Sequence, residues 1–186
     1  CLEALRPAWE AERDLARGVN AANPGLRRGV GVAAGWYGCG NTSLPNPSTI
    51  KSGLCADGRL VLHQGAMDIG QGANTVIAQI FAEALGLPVT AVTLVGPDTD
   101  ITPDAGKTSA SRQTYVSGNA ARLSGAALRA SVLERLNVSG DAELRIVPGA
   151  VEAKDAGKTH RLDLAALPVD AEGYVLRAEE SYAPPT

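Results

Sequence analysis

The 186-residue sequence predicts an α+β fold, an antiparallel or mixed sheet with packed helices, on three observations. Apolar residues recur at helical spacing in three stretches, and glycine or proline closes two of them. Two short apolar runs flank Asp57-Gly58, a strong hairpin signal. Beyond Gly72, helix-like and strand-like runs alternate, which asks for helices laid against a sheet.

Taken in order, residues 2–22 carry Leu5, Ala8, Trp9, Leu15, Ala16 and Val19 at three- and four-residue spacing among charges, an amphipathic helix. Asn23-Pro24-Gly25 ends it, because proline disfavours a helical residue before it and glycine supplies the turn. Residues 27–37 read as a buried strand. A turn-rich loop spanning Gly38-Cys39-Gly40-Asn41 and Leu44-Pro45-Asn46-Pro47 leads to an extended run at 49–55 and its return strand at 59–65. Residues 75–85 form a helix stopped by Gly86 and Pro88, residues 89–95 a strand, and residues 117–136 a long helix rich in Ala and Leu. Weaker strands at 143–147, 151–153 and 174–178 read as a small flap. The expected organisation is a core over 1–136 and a β-rich flap over 137–186. The absence of an initiator Met and the linker-like Ala183-Pro184-Pro185-Thr186 mark the whole as an internal segment of a longer protein.

Composition excludes several classes. The net charge is −3 with scattered basic residues, which argues against a nucleic-acid surface, and no apolar run is long enough for a membrane span. Cys1, Cys39 and Cys55 are odd in number and widely spaced, so they read as reduced thiols of a cytoplasmic protein, with a periplasmic home left open. His63 and His160 have no partner at ligand spacing, so no protein-held metal is expected.

Two loops carry the chemistry. In Asp68-Ile69-Gly70-Gln71-Gly72-Ala73-Asn74-Thr75 two glycines flank an amide where a strand gives way to a helix, so a ligand can approach the backbone and the helix N–H groups. A plain turn capped by Asn74 or Thr75 explains the same residues. The second loop, 102–115, includes Thr108, Ser109, Ala110, Ser111, Arg112 and Gln113, and is dense in small hydroxyl donors. Its arginine is suited to a two-pronged phosphate contact, while Ser111 or Thr108 as a mere helix cap is the alternative. Gly106-Lys107-Thr108 is no phosphate loop, because Ile101 stands where its first glycine belongs. Gly70-x-Gly72 lacks the third glycine of a dinucleotide fold. No catalytic set is visible in the chain.

The succession of residues 68–72, Ala82-Glu83-Ala84-Leu85-Gly86, Asp98-Thr99, Thr102-Pro103 and Ser111-Arg112-Gln113, with Trp36-Tyr37-Gly38-Cys39-Gly40-Asn41 and Gly118-Asn119-Ala120, resembles one family in order and spacing. That family is xanthine dehydrogenase/aldehyde oxidase, and the resemblance is to the molybdopterin-binding domain of its large molybdenum subunit, aldehyde oxidoreductase-like. It covers residues 27–129 well and the tail loosely.

The resemblance implies a molybdopterin cofactor, as the cytosine dinucleotide, with one molybdenum. In such enzymes a water-derived oxygen is inserted into an aldehyde or N-heterocycle, and two electrons leave through iron–sulfur centres to flavin or another acceptor. It implies that Gly70, Gln71, Gly72 and Ala73 line one side of the cofactor and residues 108–113 another. It implies partners too: the remaining molybdenum-subunit domains and iron–sulfur and flavin subunits or domains. The family's Gly-Gly-Phe-Gly loop, substrate-orienting arginine and glutamate base do not occur here, so the isolated segment is expected to be inactive and without cofactor, and Asp68 is not promoted to base. The competing reading is a non-catalytic packing or assembly module.

Overall fold

The computed structural model describes residues 1–40 and 44–185, so Asn41 and Thr186 lie outside the described residues. The chain divides into two compact units, Cys1–Tyr37 and Gly38–Thr186.

In the first unit, helix α1 (Leu2–Ala22) forms where its periodicity predicts it, and the Asn23 N–H closes the last turn on the Val19 carbonyl at 3.1 Å. The following stretch is not the expected buried strand. Asn20 brackets the Arg28 backbone with two hydrogen bonds of 2.9 and 2.7 Å, but residues 27–37 join no ladder and are mostly exposed, Trp36 to 99%. Valine and glycine alternation makes a run extended; it becomes a strand only where another backbone pairs with it.

The second unit is built on a four-stranded sheet whose strands lie in the spatial order Val92–Val95, Leu60–Gln64, Ser48–Leu54 and Leu176–Tyr182. β1 (Ser48–Leu54) and β2 (Leu60–Gln64) form the predicted hairpin, with Gly58 at φ +94° in its turn. Helix α2 (Ala73–Leu85) then crosses over to β3 (Val92–Val95), which lies parallel to β2. Residues 89–91, expected as strand, form a single 3-10 turn after Pro88. Helix α3 (Gln113–Leu136) starts a turn earlier than expected.

A second sheet of β4 (Glu143–Val147), β5 (Ala150–Asp155) and β6 (Lys158–Asp163) is wholly antiparallel. β6 escaped the sequence reading because Lys-Thr-His-Arg-Leu-Asp has almost no apolar alternation. The last strand, β7 (Leu176–Tyr182), was read at 174–178 as part of the flap. It pairs antiparallel with β1 along its whole length and so belongs to the main sheet.

The pleat sorts β1 into two faces. Ile50 and Leu54, with Leu60 and Leu62 of β2, join Ile77 and Phe81 of α2 and Leu128 of α3 in the core. On the same face Ser48 bonds Ser117 and Ser52 bonds Ser124, each at 2.7 Å between hydroxyl oxygens. Seven helical residues rise about 10.5 Å and four strand residues about 13 Å, so the pairs hold α3 nearly along β1. Helix α2 meets α3 just as closely. A Cβ on Gly125 would stand 2.6 Å from the Phe81 carbonyl oxygen, whereas one on Gly118 would meet only the Ile80 Cδ1 at 2.9 Å.

The opposite face is polar and equally covered. Tyr174 lies over Gly53, where any Cβ would overlap its ring, and its hydroxyl sits 2.5 Å from Nε2 of buried His63. Lys51 pairs with Glu172 beside them. Burial, then the Lys51 charge, push the imidazole pKa below its usual value against the opposing pull of Glu172.

Two outcomes are expected. Gly118→Ala should be neutral or stabilising, since alanine gains up to about 1 kcal/mol in a helix and a flexible side-chain end can move aside. Gly125→Ala should cost about 1–3 kcal/mol because backbone must shift, and chemical denaturation of both variants checks the contrast. The fold also favours neutral His63, so stability should be full above about pH 6.5 and fall as pH drops through the depressed pKa. Asp68, Asp155, Asp170 and Glu172, all held below their usual range by hydrogen bonds, would lose their contribution only below about pH 4. His63→Gln should flatten the stability profile between pH 7.5 and 5 while leaving the acid limb; an unchanged upper limb would remove His63 from the account.

Candidate cofactor-binding site

The first loop follows β2 and opens α2. Gly70 and Gly72 take φ of +106° and +79°, a left-handed region natural to glycine, and both have open space where a Cβ would stand. Neither Asn74 nor Thr75 is the N-cap: Gly72 is, and the capping chemistry comes from Asp68. One carboxylate oxygen accepts from the N–H of Gly70 at 2.9 Å and of Gly72 at 3.3 Å, the other from the Asn74 N–H at 3.1 Å. Those bonds, Gly70 first and Asn74 second, hold its pKa below the carboxylate range. Gln71 folds back on its own loop, donating to the Met67 carbonyl at 3.0 Å and accepting from the Ile69 N–H at 2.6 Å. Behind the loop, buried Gln64 donates to Asn74 and to the Ala66 carbonyl.

The second loop runs from the end of β3 to α3. Asp104 ties it to β1, its carbonyl accepting the Thr49 N–H at 2.9 Å, and its tip turns through Ala110 and Ser111 at φ +53° and +52°. Neither Ser111 nor Thr108 caps α3; the N-cap position is Arg112. The expectation of a phosphate-gripping arginine meets a different geometry. Arg112 is 0% exposed, and its guanidinium donates to four backbone carbonyls: Ala105 (2.6 Å) and Lys107 (3.0 Å) through Nη1, Asn46 (2.6 Å) and Pro47 (3.1 Å) through Nη2. Gln113 is buried beside it, donating to the Lys107 carbonyl at 2.9 Å and accepting from Ser117. Burial lowers the Arg112 pKa, with Asp104 opposing.

The two loops are joined at one point, forty-one residues apart in sequence. The Thr108 hydroxyl accepts from the Met67 N–H at 3.0 Å and donates to the Met67 carbonyl at 3.1 Å. Of the ten residues selected from sequence, Gly70, Gln71, Ser109 and Ser111 are exposed, Gly72, Thr108 and Ala110 half-buried, and Ala73, Arg112 and Gln113 buried. Ala73 can offer a ligand only its backbone, and Arg112 and Gln113 act from behind the loop. Beside Ser111 an open groove of about 470 Å³ runs between α2 and α3, with Ile80, Tyr115, Gly118 and Arg122 on its walls. Asp68 and Met67, which sequence reasoning passed over as ligands, turn out to organise the site. The carboxylate four residues before Gly72 was the signal for the first; nothing in the sequence marked the second.

Among the described residues no group of three or more His, Cys, Asp or Glu side chains could hold a metal ion, and no helix is long and apolar enough to cross a membrane. Open glycines, small hydroxyls and helix N-termini are groups able to take up a polar organic ligand. The chain belongs to the molybdopterin cofactor-binding domain family, whose model matches residues 4–186. It is 33% identical over 195 residues to the xanthine dehydrogenase molybdenum-binding subunit of Escherichia coli O157:H7, covering 97% of this chain and 25% of that protein. To the aldehyde oxidoreductase of Megalodesulfovibrio gigas it is 33% identical over 125 residues, 66% of this chain and 14% of that one. The crystal structure of the aldehyde oxidoreductase from Desulfovibrio desulfuricans superposes with a TM-score of 0.65 at 26% identity, covering 98% of this chain and 18% of that chain. The chain thus spans about a quarter or less of these relatives.

Replacing Asp68 by Ala should free the amides of Gly70 and Asn74 while leaving α3 protected, read by hydrogen exchange. Unchanged protection at both would show that the carboxylate does not hold this loop.

Proposed function

We propose that this chain is the cofactor-cradling part of a molybdenum hydroxylase of the xanthine dehydrogenase/aldehyde oxidoreductase type, acting on aldehydes or N-heterocycles. The observation that carries the reading is the paired Thr108–Met67 bond, which makes one surface of two loops that each open a helix. Gly70 and Gly72 leave space for a flat group against the backbone, and Gln71, Ser109 and Ser111 offer exposed donors and acceptors beside it. Thr108 and Ala110 complete the second wall, Ala73 contributes its N–H, and Arg112 and Gln113 fix the wall's shape. When bound, the molybdenum–pterin group supplies the redox chemistry of oxygen insertion. No residue of this chain is assigned as acid or base.

The same reading extends to the cytosine dinucleotide form of the cofactor, to iron–sulfur and flavin partners that carry electrons away, to other domains of the molybdenum subunit, and to a cytoplasmic setting. The isolated 186-residue chain then holds no molybdenum and hydroxylates nothing.

In the full-length polypeptide, Gln71→Ala and Ser111→Ala should fold normally, since both side chains are exposed loop groups. Molybdenum per protein, or turnover per molybdenum, should fall roughly 5- to 150-fold for the loss of a hydrogen bond of about 1–3 kcal/mol. Wild-type values of both quantities in both variants would sink the site; a wild-type polypeptide free of molybdenum would favour the packing module instead.

A further inference from the structure

Arg112 is the largest fully buried side chain of the second unit's loops, and its placement is electrostatically costly. A cation at the N-cap of a 24-residue helix opposes the helix dipole, and burial strips its hydration. No carboxylate pairs with it among the described residues; four carbonyls do, and its Nε has no acceptor. A hydrophobic side chain would fill such a space at less cost if filling were the whole purpose. The carbonyls it gathers come from two separate segments, Asn46-Pro47 at the entry to β1 and Ala105 to Lys107 in the second loop. Gly106 between the latter is fitted to it, since a Cβ there would lie 2.9 Å from Nη1.

The bonds continue outward without a gap. Gln113 shares the Lys107 carbonyl with Arg112 and reaches toward Thr108 at 3.5 Å, Thr108 holds both backbone groups of Met67, and the Met67 carbonyl holds Gln71, which holds the Ile69 N–H. We infer that Arg112 is a positioning residue that sets the conformation of the first loop, Met67 to Gln71, through Thr108, and that it is not itself a ligand. The two walls of the site are therefore coupled, and the planar guanidinium is what couples them. This inference rests on the cofactor reading for its purpose but not for its test.

The test is amide hydrogen exchange at residue resolution in the full-length polypeptide prepared without molybdenum. In Arg112→Lys the charge stays but the planar fork is lost. The amides of Met67 and Ile69 should then exchange about tenfold faster, the effect of roughly one hydrogen bond, while Leu62 in β2 keeps its protection. Thr108→Val should give the same loosening at Met67 and Ile69 and leave Gly106 and Thr49 as in wild type. If Arg112→Lys fails to fold, Gly106→Ala displaces the guanidinium without removing it and should loosen the same two amides. Wild-type exchange at Met67 and Ile69 in any of these folded variants overturns the coupling. A wild-type polypeptide that never takes up molybdenum would instead overturn the cofactor reading and leave the exchange result standing.

Discussion

The close approach of α3 to the sheet and to α2 is the constraint from which the rest of the second unit follows. Serine hydroxyls bridge α3 to β1 at two levels, and Gly125 lets the Phe81 carbonyl of α2 come nearer than any side chain would allow. Small residues rather than large ones set these distances, which is how a chain with 4% aromatic residues still builds a dense core. With α3 fixed in this way, its first residue must lie beside the entry to β1. The loop that precedes it is then held between Asn46 and the end of β2, where the Pro103 carbonyl would come within 2.5 Å of a Cβ on Gly65. The site is a consequence of that packing.

Glycines and serines at the turns of the loops reach solvent beside the longer side chains of Met67, Ile69 and Lys107. Several of their longer polar side chains bond within the loops, Asp68 to three N–H groups, Gln71 to Met67 and Ile69, Thr108 to Met67 and Arg112 to four carbonyls, while among the described residues the Ser109 and Ser111 hydroxyls and the second amide N–H of Gln71 stay free for a ligand. A surface preorganised like this loses little freedom when a ligand arrives, which favours holding a rigid group in one orientation.

Much of this was legible in the sequence, and the failures have physical causes. Helices α1 and α2 and the β1–β2 hairpin were readable because periodicity, Gly86 and Asp57-Gly58 are local signals. Residues 27–37 and β7 were misplaced because strand pairing is a long-range property. A Val/Gly run looks the same whether or not a partner exists, and Leu176 to Tyr182 carries no mark of pairing with β1 rather than β5. In the loops, Gly70 and Gly72 stand where the first one turns and Thr108 where the two meet, roles that the sequence, read for ligand contacts, does not spell out. Arg112 was given an outward role because an arginine among serines suggests a ligand, and its burial depends on carbonyls of residues 46, 47, 105 and 107, which carry no side-chain signature.

That last failure bears on how such sites work. In loops that must stay open to a ligand, the core cannot supply rigidity, because apolar packing would fill the space the ligand needs. Hydrogen bonds from buried polar side chains to backbone carbonyls supply it instead, and they have the directionality that dispersion lacks. Guanidinium is well suited to this task. It is planar, remains charged despite the depression of its pKa by burial, and offers enough donors to bind several carbonyls from different segments at once. A lysine in its place would carry the same charge into the same pocket, and the loops would lose their fixed relation.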